Sequence, residues 1–183
     1  MEKSMQLNSS NLNLKQYESM LKLKNGQEIF LRPIMELDRH LLVDLFNRMS
    51  PQSVYLRFLR HLNSLPESII NRLINIDYHS NFALVAVLKK NKKDAIVSIG
   101  RYGYDPDEDG TELAVAVRDD WQQVGLGKKM LSKVVSIAID HGITNFIGMM
   151  DPQNTAIQKL LVNLGYKVRY SMESGFYRVE ITV

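Results

Sequence analysis

The sequence of 183 residues contains no cysteine. The chain can therefore form no disulfide bond, bind no metal through thiolate ligands and attack no substrate through a thiol. The longest apolar runs, such as FALVAVL at 82–88, are far shorter than the roughly 20 residues that cross a bilayer as a helix. The N-terminal segment MEKSMQLNSSNLNLKQYESM also lacks the continuous apolar core of a secretory signal. We therefore predict a cytoplasmic protein without a membrane partner.

The net charge of the chain is also small. There are 23 lysine and arginine residues against 20 aspartate and glutamate residues, which gives a net charge of +3 and a pI near 9.0. This basic bias is compatible with an anionic ligand but is too small to indicate nucleic-acid binding by itself. The four histidines are scattered without metal-ligand spacing, at His40, His61, His79 and His141. We therefore expect no nucleic-acid partner and no metal.

Length and composition predict a single globular domain, with 45% hydrophobic and 23% charged residues. Residues 1–20 are rich in Asn, Ser, Gln and Lys, so we predict a flexible tail there and assign the folded domain to residues 21–183. The domain begins with the turn dipeptide Asn25-Gly26 and a strand at about 27–33. Two or three short helices follow, and their start signals are Ser50 with Pro51 and the capping-box pair Ser64 and Glu67.

The rest of the chain alternates between strand and helix patterns. The segments FALVAVLKK, DAIVSIGRYGY and GTELAVAVR predict three successive antiparallel strands, separated by the turn-rich KNKKD and DPDEDG. A glycine-containing turn and an amphipathic helix follow, then the strand ITNFIGMM, the helix NTAIQKLLVNLG and a closing hairpin. We therefore predict a mixed α/β (α+β) domain whose central, twisted, mostly antiparallel sheet carries helices on both faces.

The segment DDWQQVGLGKKM at 119–130 places two glycines where a strand gives way to a helix. The first turn of a helix has free N–H groups and the positive end of the helix dipole, so it binds phosphate readily. Gly125 and Gly127 would let such a ligand approach the backbone, and Lys128 and Lys129 add positive charge. The segment thus predicts a pyrophosphate site on the N–H groups of residues 123–128. A glycine pair alone also occurs in loops without chemical function.

The residues around the glycines make the pattern more specific. Gln122-Gln123-Val124-Gly125-Leu126-Gly127 fits Q/R-x-x-G-x-G/A after a strand and before a helix, which resembles the acetyl-CoA-binding motif of the GNAT superfamily of N-acetyltransferases. Over about residues 21–170, segments such as NIDYHSNFALVAV, ELAVAVRDDWQQVGLG and GYKV are similar to the acetyltransferase domain of Pat-type bacterial protein lysine acetyltransferases. The resemblance implies acetyl-CoA as cosubstrate and a primary amine as acceptor.

The resemblance also implies which residues contact acetyl-CoA. The glycine segment would hold the pyrophosphate, and the backbone of the preceding strand would pair with the pantetheine arm. Asn154, a good helix N-cap by its position, would add a further contact. The full implied set is Val115, Ala116, Val117, Gln122, Gln123, Val124, Gly125, Leu126, Gly127, Lys128 and Asn154.

Glu112 is the candidate catalytic residue. Strand alternation in TELAVAV places it on one face with Ala114 and Ala116. Acyl transfer needs a neutral amine, whereas a free lysine has a pKa of about 10.4, so a partly buried carboxylate can take the proton directly or through water. Alternation alone favours a surface carboxylate, but the resemblance places the family's catalytic glutamate at this position.

Two positions depart from the family pattern. Gln123 and Val124 stand where Pat-type domains commonly have Gly and Arg, so Lys128 or Lys129 would have to replace a phosphate-facing cation. Many members also carry a tyrosine general acid seven residues after an asparagine, and counting from Asn154 gives Leu161. The general acid is therefore absent from its usual place.

We predict an acetyl-CoA-dependent N-acetyltransferase in which the amine attacks directly and Glu112 is the general base. The expected acceptor is a protein lysine, such as that of an acyl-CoA synthetase. A small-amine acetyltransferase and a non-catalytic CoA-binding regulatory module remain open, as do a monomer and a homodimer. A basic RNA-binding domain has only the pI in its favour.

Overall fold

A computed structural model of the protein describes residues 13–90, 93–106 and 108–183. The described residues contain the strands β1 (Ser19–Lys22), β2 (Glu28–Pro33), β3 (Asn81–Lys90), β4 (Lys93–Asp105), β5 (Gly110–Val117), β6 (Asn145–Met150), β7 (Lys167–Glu173) and β8 (Phe176–Thr182). They form one sheet in the order β1-β2-β3-β4-β5-β6-β8-β7. Neighbouring strands are antiparallel except β5 and β6, which are parallel.

The helices of the described residues are α1 (Arg39–Asn47), α2 (Pro51–Phe58), α3 (Glu67–Ile74), α4 (Leu126–Asp140) and α5 (Thr155–Leu164). A core of buried residues from α4 and α5 covers one face of the sheet, and a second core from α1 and α3 covers the other. Central strand β3 shows why both cores form: Phe82, Leu84 and Ala86 enter the first core, whereas Ala83, Val85 and Val87 enter the second. Because side chains alternate along a strand, a continuous apolar run buries both faces.

The predicted fold class is confirmed, and so is the antiparallel meander of β3, β4 and β5. The turn dipeptide Asn25-Gly26 joins β1 to β2, with Gly26 at φ +82°, where glycine is favoured. Residues 91, 92 and 107 of the two other predicted turns lie outside the described residues. Across the described ranges, no helix combines the length and the apolar character needed to cross a membrane.

The predicted boundary between tail and domain at residue 20 is wrong, because it falls inside β1. The preceding Tyr17 is also attached to the domain. Its ring meets the Phe82 ring edge-on at 5.0 Å between centroids, and its hydroxyl is 2.9 Å from His141 Nε2. These contacts hold residues that composition alone assigned to a tail. Residues 1–12 lie outside the described residues.

One helix start was predicted correctly and one was not. Ser50 caps α2, since its hydroxyl accepts a hydrogen bond from the Ser53 N–H at 3.2 Å. The predicted capping box at the start of α3 is wrong: the N-cap is Pro66, which makes no side-chain cap. Glu67 pairs instead with Arg39 of α1 on the protein surface, so its carboxylate links two helices and does not cap a helix end.

Candidate active site

The sheet opens between β5 and β6. Strand β5 pairs with β4 from Gly110 to Val117, but in the described part of the chain its only registered partner on β6 is Glu112 with Ile147. The two strands therefore diverge beyond Glu112. One edge of β5 from Ala114 to Val117 is left without a neighbouring strand in the described residues.

The backbone groups that face this opening follow from the alternation of the strand. The Arg118 N–H donates to the Val97 carbonyl of β4 at 2.9 Å, and the Ala116 carbonyl accepts from the Ser98 hydroxyl at 2.8 Å. Residues 116 and 118 thus direct their backbone groups toward β4. Because successive residues alternate, Val115 and Val117 direct theirs toward the opening. The Val117 carbonyl there accepts a hydrogen bond from the Gln122 side chain at 3.0 Å.

The glycine segment forms a tight turn into α4. Gln123 and Gly125 both adopt positive φ, at +62° and +86°, and α4 begins at Leu126. Six consecutive N–H groups, those of residues 123–128, have no hydrogen-bond acceptor among the described residues. Such a row of free donors at the positive end of a helix is an anion-binding arrangement.

The structure requires glycine at one of the two glycine positions of the turn but not at the other. Gly125 is in the left-handed region, where other residues are strained, and a Cβ there would lie 3.4 Å from Lys24 Cε. Gly127 has no such requirement: a Cβ there would meet only Val117 Cγ2, at 3.5 Å, an ordinary contact. Neither backbone conformation nor packing explains glycine at 127. The space beside it is open to a ligand.

A groove of about 940 Å³ runs along the glycine turn and the facing surfaces of α4 and α5. We call it the lysine groove, because its cations include the side chains of Lys24, Lys128, Lys129, Lys133 and Lys159, together with Arg57. Among the described residues, no aspartate or glutamate lines it. The groove therefore presents positive charge to a polyanion.

A second cavity, of about 410 Å³, lies at the other end of the opening. We call it the arginine pocket, since Arg57, Arg60, Arg72, Arg101 and Arg178 line it together with Asp105, Glu108 and Glu112. The two cavities meet at shared lining residues: Leu56, Arg57, Val115, Asn154 and Ile157. The gap between β5 and β6 therefore connects the lysine groove to Glu112.

Glu112 is surrounded by arginines. Its Oε2 accepts hydrogen bonds from Arg72 at 3.3 Å and Arg101 at 3.4 Å, while Oε1 lies 3.6 Å from Arg57 Nη1. The Glu112 side chain is 25% exposed, so it remains accessible from the pocket. Burial lowers the pKa of Arg57, and it lowers the pKa of Arg101 to about 10 even though Glu112 opposes the effect.

The structure brings most of the predicted site residues to this opening. Val115, Ala116, Val117, Gln122, Gln123, Gly125, Gly127, Lys128 and Asn154 line the lysine groove, and Glu112 lines the arginine pocket. Asn154 caps α5 as predicted, with its Oδ1 accepting from the Ile157 N–H at 3.3 Å. The Lys128 ammonium donates to the Asn163 carbonyl at 3.2 Å.

Two predicted residues have core side chains. Leu126 is 1% exposed and Val124 packs against the same core, so only their backbone can reach a ligand in the groove. The position of the usual general acid, Leu161, is 2% exposed and lies in that core as well. A proton donor is therefore not supplied from position 161.

Comparison with known proteins identifies the family. The model of the acetyltransferase (GNAT) domain matches residues 28–167. The chain belongs to the GNAT acetyltransferase family. It is 28% identical over 144 residues to an acetyltransferase of Pseudomonas aeruginosa, with 79% of this chain and 77% of that protein aligned.

Solved GNAT structures share the fold of this acetyltransferase. The GNAT domain of S. lividans PAT superposes with a TM-score of 0.82 at 24% identity, covering 92% of this chain and 98% of that one. A putative acetyltransferase of Salmonella typhimurium, solved with its cofactor acetyl-CoA, gives a TM-score of 0.62 at 17% identity, covering 84% and 93%. This chain, as a GNAT acetyltransferase, is thus an acyltransferase.

Sequence reasoning missed several residues of the site. Lys24 reaches the glycine turn from the segment between β1 and β2, about a hundred residues away in the chain, and no local pattern indicates this contact. The polar face of α4 beyond Lys129 was detectable, because Ser132, Lys133 and Ser136 continue it at helical spacing. The arginines around Glu112 come from α2, α3 and β4, and only the fold brings them together.

Proposed function

We propose that this acetyltransferase transfers the acetyl group of acetyl-CoA to the ε-amine of a lysine on a folded protein. The observation that carries the proposal is the passage between β5 and β6, which joins a cationic groove to a carboxylate in a separate pocket. One cavity suits the phosphates of a CoA and the other suits an acceptor. The two reactants would then meet from opposite ends.

The lysine groove fits acetyl-CoA, the group that supplies the activated acetyl. We assign the pyrophosphate to the N–H groups of residues 123–128, which have no acceptor in the described residues. The open space at Gly127 admits the phosphate close to the backbone. The outward N–H groups of Val115 and Val117 are placed to donate to the pantetheine arm and to polarise the thioester carbonyl.

Replacing Lys129 and Lys133 together with glutamine should raise the KM for acetyl-CoA by about three- to tenfold, with kcat little changed. Both lysines line the groove on α4, and partly exposed charges each contribute on the order of 0.2–1 kcal/mol to such an attraction. The effect should shrink at high ionic strength because salt screens it. Initial-rate measurements at two salt concentrations check this.

A matched pair provides the control. Lys22 and Lys167 are exposed and lie outside the groove, so their replacement with glutamine changes the net charge equally. The assignment of the groove would be contradicted if this pair raised the KM for acetyl-CoA as much as the first pair.

Glu112 is proposed as the general base. Its Oε2 is occupied by two arginines, but Oε1 lies 3.6 Å from Arg57, beyond ordinary hydrogen-bond length. Oε1 can therefore accept a proton from the amine, directly or through one water. The proton leaves before or during attack, which gives the amine the lone pair it needs. The C–N bond then forms, the C–S bond of the thioester breaks, and CoA leaves as a thiolate. No covalent acetyl-enzyme is required.

The acceptor is proposed to be a protein because the pocket opens onto charged surface. Arg60, Arg72 and Glu108 are exposed at its lining and can contact the surroundings of a lysine side chain. Similarity of the sequence to Pat-type domains over about residues 21–170 favours an AMP-forming acyl-CoA synthetase as the target.

A competition assay tests the acceptor. We expect a purified acyl-CoA synthetase to be acetylated on lysine with a higher kcat/KM than any amine in a panel of polyamines and amino acids. Release of the CoA thiol gives the rate, and mass spectrometry of the synthetase gives the site. Efficient acetylation of a small amine, with no modified lysine on the synthetase, would show that the acceptor is a small molecule.

A further inference from the structure

The arginine pocket carries more positive than negative charge. Five arginines line it against three acidic residues. At its centre a single carboxylate, that of Glu112, faces Arg57, Arg72 and Arg101. Arg72 also pairs with Asp105 at 2.8 Å, so it has a second partner. Because Arg60 is exposed to solvent, the buried part of the excess positive charge lies on Arg57 and Arg101.

Arg57 has unused donors. A guanidinium carries five N–H donors, and this one makes no hydrogen bond to any of the described residues. Its nearest carboxylate oxygen, Glu112 Oε1, is 3.6 Å away. The side chain is 16% exposed and its guanidinium lies 5.0 Å from the centroid of the Phe58 ring. Arg57 also lines both cavities, which places it where the two reactants meet.

Arg101 also has an unused donor and is more deeply buried than Arg57. Its side chain is 5% exposed, and its buried Nε has no acceptor within the described ranges. Its contact with Glu112 Oε2 is 3.4 Å, longer than the roughly 2.7–2.9 Å of a strong charged hydrogen bond. Glycine at 103 makes room for it, because a Cβ there would collide with the Arg101 guanidinium. A buried cation with so little compensation is costly unless an anion joins it.

We propose that the arginine pocket binds a carboxylate that the acceptor carries close to the amine that is acetylated. This inference rests on the proposed function, since it takes the pocket as the acceptor site. The carboxylate must be close to the amine because Arg57 and Arg101 both contact Glu112, the proposed base. It can come from an acidic side chain beside a protein lysine or from the α-carboxylate of a free amino acid.

Paired acceptors test the proposal. One pair is a lysine peptide with glutamate beside the lysine and the same peptide with glutamine; the other is free lysine and lysinamide. We expect the wild-type enzyme to prefer the carboxylate member of at least one pair by about tenfold in kcat/KM. Preference within the peptides assigns the carboxylate to a protein, and preference for free lysine assigns it to an amino acid.

In the variant Arg57→Gln, the ratio of kcat/KM between the carboxylate and carboxamide members of the preferred pair should fall to about one, mainly through a change in KM. Arg48→Gln removes an exposed arginine at the C-cap of α1, outside both cavities, and it should keep the wild-type ratio. Equal use of carboxylate and carboxamide acceptors by the wild-type enzyme would overturn the proposal. So would a preference for succinyl-CoA over acetyl-CoA that disappears in Arg57→Gln, because the carboxylate would then belong to the donor.

Binding without acetyl-CoA keeps the two hypotheses separable. Calorimetry with the wild-type protein and the acetylated forms of the same acceptors should show tighter binding of the carboxylate member, weakened by salt. This measurement decides the inference even if Arg57→Gln fails to fold or no acceptor is acetylated. Absence of acetyl transfer with retained carboxylate preference would refute the proposed function alone; equal binding of both members would refute the inference.

Discussion

Replacing Glu112 with glutamine should lower kcat by about two to four orders of magnitude, the usual contribution of a general base. Glutamine keeps the shape and an acceptor oxygen but cannot take a proton. The loss should shrink as pH rises toward the lysine pKa of about 10.4, because the amine then deprotonates in solution. Acetyl-CoA affinity should stay close to the wild-type value, since Glu112 lines the arginine pocket and not the lysine groove.

A neighbouring acid serves as the control for this prediction. Glu108 lines the same pocket and pairs with Arg178, so Glu108→Gln changes the pocket charge equally. It should retain most of the turnover. The thermal unfolding of both variants should also be measured. Glutamine at position 112 removes the negative charge that Arg57, Arg72 and Arg101 share, and this can lower the stability of the fold. A folded Glu112→Gln enzyme with full kcat at neutral pH would require a different base.

Replacing Gly127 with valine should abolish measurable acetyl-CoA binding. The branched side chain would project into the space beside the free N–H groups and keep the pyrophosphate from the backbone. The fold should survive, because a Cβ at 127 meets only Val117 Cγ2 at 3.5 Å and the backbone there does not require glycine. Gly127→Ala should weaken binding less. Calorimetry with acetyl-CoA measures both effects.

Thr155→Val is a matched control for the glycine variant. Thr155 is exposed in the first turn of α5 and lies outside both cavities, so the same side chain is introduced at a helix start without blocking the groove. This variant should bind acetyl-CoA normally. Unchanged affinity in a folded Gly127→Val protein would remove the glycine turn from the proposed binding site.

The sequence predicted the glycine turn well because its signals are local. Alternating apolar residues, two glycines and an amphipathic stripe follow one another directly in the chain. Each of these patterns predicts the conformation of its own segment. The same holds for the Ser50 cap and the Asn154 cap. Strand alternation also placed Glu112 on the same strand face as Ala114 and Ala116. These features needed no knowledge of distant contacts.

The parts that were missed depend on the assembled sheet. The hydrogen bond from the Lys24 N–H to the Val124 carbonyl, 3.3 Å, joins segments far apart in the chain. So do the ion pairs of three arginines with Glu112. The error at residue 20 has the same origin, because the partner of β1 is β2 and Tyr17 is held by Phe82 and His141. A polar segment that is held by a few aromatic and apolar residues has the same composition as a flexible tail. Composition therefore cannot distinguish the two.

The central claim is that the gap between β5 and β6 joins a donor site to an acceptor site at Glu112. A crystal structure of the protein with acetyl-CoA tests it most directly. We predict the pyrophosphate on the N–H groups of residues 123–128, the pantetheine along the outward backbone of Val115 and Val117, and the acetyl group entering the arginine pocket beside Glu112. Acetyl-CoA bound away from the glycine turn, or with its acetyl group outside the gap, would contradict the claim.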